Sequence, residues 1–419
     1  MRKESRSTVL ANVSYLSLLN VLNLALPLVM IPYLTLTVGA AHFGEYAYVL
    51  AVVQNMMNIT AYGFNFSATR QVSMHRNNAE LVNRIFNATI GAKAVIALAC
   101  FALLLAAARW VFDTPALMFL FFTAMGMVLG EVMTPVWLFQ GMERMKYVTI
   151  TTATARIVFT ALVFVAIREA EHYRYILLLD SVGYILAGVL SLWLARRQFG
   201  IAFRVPSKQA VWHQLADGFT IFCSTFFISL YRNLNIVLLK FFVPSSVVGV
   251  YAVAEKVVKA AQSVVTPVSQ ALFPHMADRF KQHTLRDNLT TLMRIARLLA
   301  LGTAIMTLML VLCSGYIHYV VGDDFIPARH LMYIMSPVLV FGALNYLLGF
   351  VGLVNLGHKR YFFRAVMASG IASLVVLVVL TPIMGAKGAA IAMTMSEVLL
   401  CLICQWRLEQ LAREGRKKR

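Results

Sequence analysis

The sequence predicts an all-α integral membrane protein, with about twelve transmembrane helices in two parallel six-helix lobes around a central cavity. Three observations carry that prediction. Of the 419 residues, 60% are hydrophobic and 13% charged, with a mean hydropathy of +0.74, whereas a soluble domain is roughly half apolar and a quarter charged. The apolar residues gather in runs near the roughly 20 needed to cross about 30 Å of hydrocarbon. Lys and Arg fall between those runs, and mostly in alternate connections.

Taken in order, the chain opens with a basic segment, Met1 to Thr8, and enters an apolar stretch from Val9 to Leu36. That stretch is longer than the roughly 7–15 residue core of a secretory signal and has no small-residue cleavage site, so it reads as a retained first helix. Apolar runs broken by polar turns place the first six spans at 9–34, 46–67, 85–108, 115–139, 148–167 and 175–194. The second six fall at 218–242, 247–272, 295–320, 331–354, 362–384 and 388–406. Pro27, Pro32, Pro135, Pro267, Pro274 and Pro337 lie in or at the ends of spans, where proline frees backbone carbonyls and permits bending.

The longest hydrophilic connection, Ala195 to Ala216, divides the chain into an N-terminal lobe, 1–194, and a C-terminal lobe, 217–406. It is a cytoplasmic linker, 195–216, and residues 407–419 form a basic cytoplasmic tail. Twelve crossings put both termini on one side. With the start placed in the cytoplasm, about 26 of the 37 Lys and Arg lie on that side and about six on the other. Short basic loops resist translocation, so this split supports both the count and the orientation.

An internal repeat supports two lobes. Phe43-Gly44-Glu45-Tyr46-Ala47 with Val52-Val53-Gln54 matches Val248-Gly249-Val250-Tyr251-Ala252 with Val257-Val258-Lys259, at one offset close to half the chain length. Parallel repeats about an axis along the membrane normal place a substrate path between the lobes, which is a transporter layout.

Other chemistries find little footing. The net charge of +19 is distributed in short clusters between spans rather than in one stripe, which argues against nucleic acid as a partner. There is no P-loop and no H-E-x-x-H, and the nine histidines are scattered, so no catalytic residue, metal site or cofactor is assigned. The cysteines (Cys100, Cys223, Cys313, Cys401 and Cys404) all lie in apolar segments, where packing explains them better than disulfides or redox chemistry.

The informative residues are the charges inside spans. Lys93, Arg156, Arg232, Lys256 and Lys259 each cost about 2.5–3.5 kcal/mol or more at a helix centre, so each needs a partner, water or a route to the headgroups. Lys93 and Arg156 lie within two or three turns of the cytoplasmic end and can be read as snorkelling or as functional. Arg232, Lys256 and Lys259 sit at similar depth on consecutive helices. Glu255 and Lys259 are spaced to pair on one helix. Two readings stand: an ion-pair network that holds helices together, or a hydrated basic cavity that attracts an anion, for which Lys and Arg are suited to phosphate. Glu131, Asp180, Glu255 and Glu397 are the candidates for carrying a coupling ion. Gln54, Asn55, Asn58 and Asn65 on the second span either line the cavity or bind helices together.

Three stretches together resemble the Wzx type of polysaccharide flippase, in the multidrug/oligosaccharidyl-lipid/polysaccharide exporter superfamily. The first runs from Asn12-Val-Ser-Tyr15 through Pro27 and Pro32-Tyr33-Leu34, then Phe43-Gly44-x-Tyr46, Tyr62-Gly63-Phe64 and Ser67-Ala68-Thr69-Arg70. The second is Pro135-Val-Trp137-Leu-Phe139-Gln140-Gly141-Met-Glu143-Arg-Met-Lys146-Tyr147. The third is Val248-Gly249-Val-Tyr251-Ala-Val-Ala254-Glu255-Lys256, continuing to Pro267-Val-Ser-Gln270-Ala271-Leu-Phe273-Pro274.

The resemblance implies a flippase that moves undecaprenyl-diphosphate-linked oligosaccharide repeat units, of O-antigen or exopolysaccharide, from the cytoplasmic to the periplasmic leaflet of the bacterial inner membrane. It implies alternating access of two lobes coupled to an ion gradient, and contact with membrane lipid and with the polysaccharide polymerase and chain-length regulator. Arg232, Lys256 and Lys259 would then receive the diphosphate or acidic sugars. The alternative is a multidrug or organic-ion antiporter of the same superfamily, although organic-cation export favours an acidic cavity. A lipid II flippase typically has two extra helices, for which this chain lacks length. A membrane-embedded glycosyltransferase or polymerase would need a catalytic loop outside the membrane, and the periplasmic connections look only about 5–15 residues long.

Overall fold

The computed structural model describes residues 2–282 and 284–417, and no strand occurs among them. Nine helical segments among the described residues are long and apolar enough to cross a membrane. The first, Ala25–Met74, is 50 residues long, about twice one crossing. Two further helices, Lys208–Lys240 and Ser245–Gln282, run for 33 and 38 residues. These lengths fit twelve crossings of an all-α, multi-pass membrane protein.

Helix α1, Arg2–Ala61, turns at Gly39, where φ is 73° and ψ 174°. The sequence reading places a connection between 34 and 46; the structure replaces it with this one-residue turn. Glycine adopts that conformation without a Cβ clash. Thr35 and Thr37, whose polarity resembles a loop, donate back to the carbonyls of Ile31 and Tyr33 at 3.0 and 2.7 Å. Their hydroxyls are thereby satisfied within the helix. Tyr62 and Gly63, both at positive φ, separate α1 from α2, Phe64–Met74.

The chain continues through α3 (Ala79–Ala106), α4 (Pro115–Met133), α5 (Val136–Gly141), α6 (Met145–Ala166) and α7 (Ile176–Phe199). Then follow α8 (Lys208–Lys240), α9 (Ser245–Gln282), α10 (Leu285–Cys313), α11 (Ala328–Met335) and α12 (Val338–Asn345). A π-helical stretch, Tyr346–Val354, prolongs α12, and α13 (Lys359–Met384) and α14 (Ala386–Lys417) complete the chain. Pro135 and Pro337 stand at breaks between helices, whereas Pro27 and Pro32 lie inside α1.

The chain divides into two compact units, Met1–Val38 with Glu45–Leu230, and Gly39–Gly44 with Tyr231–Arg419. The second of the three resemblance stretches proves to be a packing device of the first unit. Trp137, Leu138 and Phe139 are buried in one core with Phe64, Ala68 and Val72 of α2. Thr69 donates to the Trp137 carbonyl at 3.2 Å, and Arg76 donates to the Gly141 carbonyl at 2.6 Å and pairs with Glu143 at 2.8 Å. These residues fix α2 against α5, so what they signal is the fold.

Candidate functional site

In the first unit, four of the charged candidates join one network. Lys93 of α3 is 2% exposed, so it does not reach toward headgroups. Its ammonium lies 3.0 Å from the Glu131 carboxylate on α4 and also donates to the Glu131 backbone carbonyl. Pro135, four residues on, has no N–H to close the helical bond to that carbonyl. A long 3.3 Å bond from the Thr134 N–H takes its place in the backbone. Lys93 therefore caps a carbonyl that proline leaves open and neutralises the carboxylate of the same residue.

Arg156 of α6 stacks 5.8 Å above the Tyr184 ring of α7 and interacts electrostatically with Asp180 and Tyr46. Asp180 and Tyr46 are both buried. Tyr184 in turn feels Glu131 as well as Arg156 and Asp180. Gly126 and Gly130 of α4 make this possible, because they let that helix lie directly on Ser181 and Tyr184 of α7. Lys93, Glu131, Arg156 and Asp180 thus gather two cations and two anions, and their balance suits an ion-pair network that holds helices together.

Removing one cation should expose the cost. The Lys93→Met protein is expected to lose stability, by less than the roughly 3–5 kcal/mol of a fully buried orphaned charge, because the Glu131 carboxylate left behind is 23% exposed. Its detergent-solubilised melting temperature should fall, and Glu131→Gln added to it should restore part of the loss. A melt unchanged by Lys93→Met would mean that the pair contributes nothing.

In the second unit the balance differs. Lys259 pairs with Glu255 at 2.9 Å on α9, as the four-residue spacing implies, but Glu255 is 5% exposed and Lys259 44%. The Lys259 side chain is therefore partly open, while its partner carboxylate is not. Lys256, half-buried, holds its ammonium 5.4 Å from the Phe43 ring centroid, in cation–π range. Arg232 lies on α8, and its side chain is outside the described residues.

Gln54, Asn58 and Asn65 are exposed, and Asn55 is half-buried with its amide donating to the Ala51 carbonyl at 2.8 Å. Gln54 and Asn58 are four apart and share a helix face. Gln54 is the repeat counterpart of Lys259, and both are exposed.

Glu397 of α14 is distinct among the four acids. It is 9% exposed, and its carboxylate accepts from the Asn345 amide at 2.6 Å. The same amide donates to the Glu397 backbone carbonyl at 2.9 Å, and the Asn345 Oδ1 is buried without a donor. Gln262 of α9 projects to the same place, since a Cβ on Gly342 would fall 2.0 Å from its Nε2 and 3.8 Å from Glu397 Oε2. The π-helical stretch begins directly after Asn345, and such stretches recur at functional sites. The sequence reading missed Asn345, Gln262 and Tyr184 and gave Tyr46 only as a motif residue, because a single neutral amide or phenol in an apolar run carries no charge cost to mark it.

Comparison with known proteins agrees with this architecture. The model of a family described as "Polysaccharide biosynthesis protein" matches residues 9–280. Two relatives share the name "Putative O-antigen transporter". The one from Escherichia coli (strain K12) is 26% identical over 389 residues, covering 93% of this chain and 94% of the relative. The one from Shigella dysenteriae is 26% identical over 402 residues, covering 93% and 98%. Among solved structures, the lipid II flippase MurJ in an inward closed conformation has a TM-score of 0.76 at 12% identity, covering 96% of this chain and 87% of that one. An inward-facing multidrug resistance MATE family transporter of the MOP superfamily has a TM-score of 0.71 at 12% identity, covering 93% and 96%. At such identity these two show the fold. The chain therefore belongs to the polysaccharide biosynthesis protein family.

Proposed function

We propose that this protein flips undecaprenyl-diphosphate-linked oligosaccharide repeat units from the cytoplasmic to the periplasmic leaflet of the bacterial inner membrane, with both termini cytoplasmic. The observation that carries the reading is the pair of lysines on α9. Two lysines lie three residues apart on this helix, and Lys259, though paired with Glu255 at 2.9 Å, keeps 44% of its side chain exposed. A hydrated cationic surface suits a diphosphate. Complementation of a flippase-deficient strain, scored by surface polysaccharide, tests it. Restored polymer supports flipping; export of organic cations without restored polymer would favour the antiporter reading.

Coupling to an ion gradient is part of the same proposal, and Glu397 is the acid best suited to it. Glu131, Asp180 and Glu255 face Lys93, Arg156 and Lys259, so a proton or metal cation binding there competes with a fixed charge. Among the described residues, the Glu397 carboxylate takes its hydrogen bond from a neutral amide. The Oδ1 of the same Asn345 amide is buried without a donor and would offer a cation a second oxygen. Glu397→Gln in proteoliposomes is expected to retain binding but lose the acceleration of flipping by an imposed proton or sodium gradient. An unaltered gradient response would remove Glu397 from the mechanism.

A further inference from the structure

The first unit holds an open cavity of about 450 Å³ between α2, α3 and the start of α8, and neither Lys93 nor Arg156 lines it. Its rim carries Arg70, His75, Arg84 and His213, and its floor is apolar, formed by Leu81, Ile85 and Ala88. Gln71, Gln214 and Asp217 also line it.

The polar residues form a directed chain. Gln71 Nε2 donates to the Asp217 carboxylate at 2.8 Å, and Gln214 Nε2 donates to Gln71 Oε1 at 2.8 Å. A carboxylate only accepts, so the Gln71 amide must present its nitrogen to Asp217 and its oxygen to Gln214. Gln214 must then present its own nitrogen to Gln71, which leaves its Oε1 at the end of the chain. That oxygen is buried and has no donor, in a side chain 5% exposed. A buried acceptor without a donor is costly, and no exchange of amide oxygen and nitrogen relieves it here.

We propose that this cavity is a loading site for the headgroup of a lipid-linked glycan, taken up from the cytoplasmic leaflet before translocation. The occupant must combine three chemistries: an anion for the basic rim, apolar carbon for the floor, and a hydroxyl donor that Gln214 Oε1, buried as the side chain now stands, accepts when that side chain turns toward the cavity. A sugar joined through phosphate to a prenyl chain carries all three. Arg70 lies 3.9 Å from Asp217 and Arg84 2.5 Å from Glu80. Both arginines are more than 70% exposed, so an arriving phosphate can share them. The inference rests on the flippase reading and on the orientation given above.

The test uses the purified full chain in nanodiscs and three probes: a short-chain prenyl diphosphate bearing one sugar, the same prenyl diphosphate without sugar, and phosphatidylglycerol. Arg84→Gln alters an exposed side chain and is expected to weaken both prenyl probes about tenfold, the loss of one charged hydrogen bond. Gln214→Leu is expected to weaken only the sugar-bearing probe, by a similar factor. The control Arg329→Gln, an exposed position in the second unit, should change neither. Unchanged affinity in Arg84→Gln, equal losses for both prenyl probes in Gln214→Leu, or phosphatidylglycerol binding as tightly as the sugar-bearing probe would each overturn the loading site. Complementation separates this from the broader reading. A wild-type chain that restores polysaccharide while the variants bind normally removes only the loading site, whereas a wild-type chain that fails to restore it removes the flippase reading.

Discussion

Cells whose own flippase is deleted, given this protein with Lys256→Ala and Lys259→Ala at wild-type membrane levels, are expected to lose at least about tenfold in surface polysaccharide, since one charged hydrogen bond alone is worth about 1.5–3 kcal/mol. Arg232→Ala should act in the same direction. One confounding effect follows from the geometry: deleting the Lys259 ammonium orphans the Glu255 carboxylate, which lies buried 2.9 Å away, and an orphaned buried charge destabilises the fold. Lys259→Ala combined with Glu255→Gln removes both charges together. If that double variant folds at wild-type levels and still fails to flip, the ammonium serves the substrate. If it flips normally, the pair is structural and the substrate role of Lys259 is wrong. Surface polysaccharide and a membrane blot, measured together, decide between them.

The parts of this fold that the sequence made legible are those set by the bilayer. A membrane span must satisfy its own backbone and present apolar side chains along its length. Run length and basic loops therefore give the crossings without any knowledge of neighbours. The Glu255–Lys259 pair was legible for a related reason, since both partners are on one helix at a fixed spacing. Lys93 and Glu131 are 38 residues apart on different helices, and their meeting depends on interhelical register, which hydropathy does not encode. Their pairing also corrects the snorkelling reading of Lys93. The same limit hid Asn345 beside Glu397, and it hid the cavity whose lining comes from α2, α3 and α8.

Gly249→Leu, and separately Gly44→Leu, are expected to abolish recovery of folded protein, a larger effect than that of any charge substitution. These two glycines are equivalent positions of the internal repeat, and within the second unit they pack against each other. A Cβ on Gly44 would lie 1.8 Å from the Ser245 carbonyl oxygen and 2.8 Å from the Gly249 nitrogen. A Cβ on Gly249 would lie 2.2 Å from the Ala40 carbonyl oxygen and 3.1 Å from the Gly44 nitrogen. Ala40 and Ser245 are related by the same offset. Two copies of a small-x-x-x-small pattern therefore cross with their backbones in contact, a mode of helix association that depends on missing side chains. The clash is with backbone, which cannot change rotamer, so even Gly249→Ala should cost more than the roughly 1–3 kcal/mol of ordinary overpacking. Gly302 of α10 supplies the contrast, because nothing lies within 4 Å of its absent Cβ. Gly302→Ala should leave the melting temperature unchanged or raise it slightly, through the roughly 0.5–1 kcal/mol by which Ala favours a helix interior over Gly. Size-exclusion chromatography in detergent checks all of these variants. A monodisperse Gly249→Leu protein with a wild-type melt would show that the crossing is looser than the close approach of Ala40, Gly44, Ser245 and Gly249 requires.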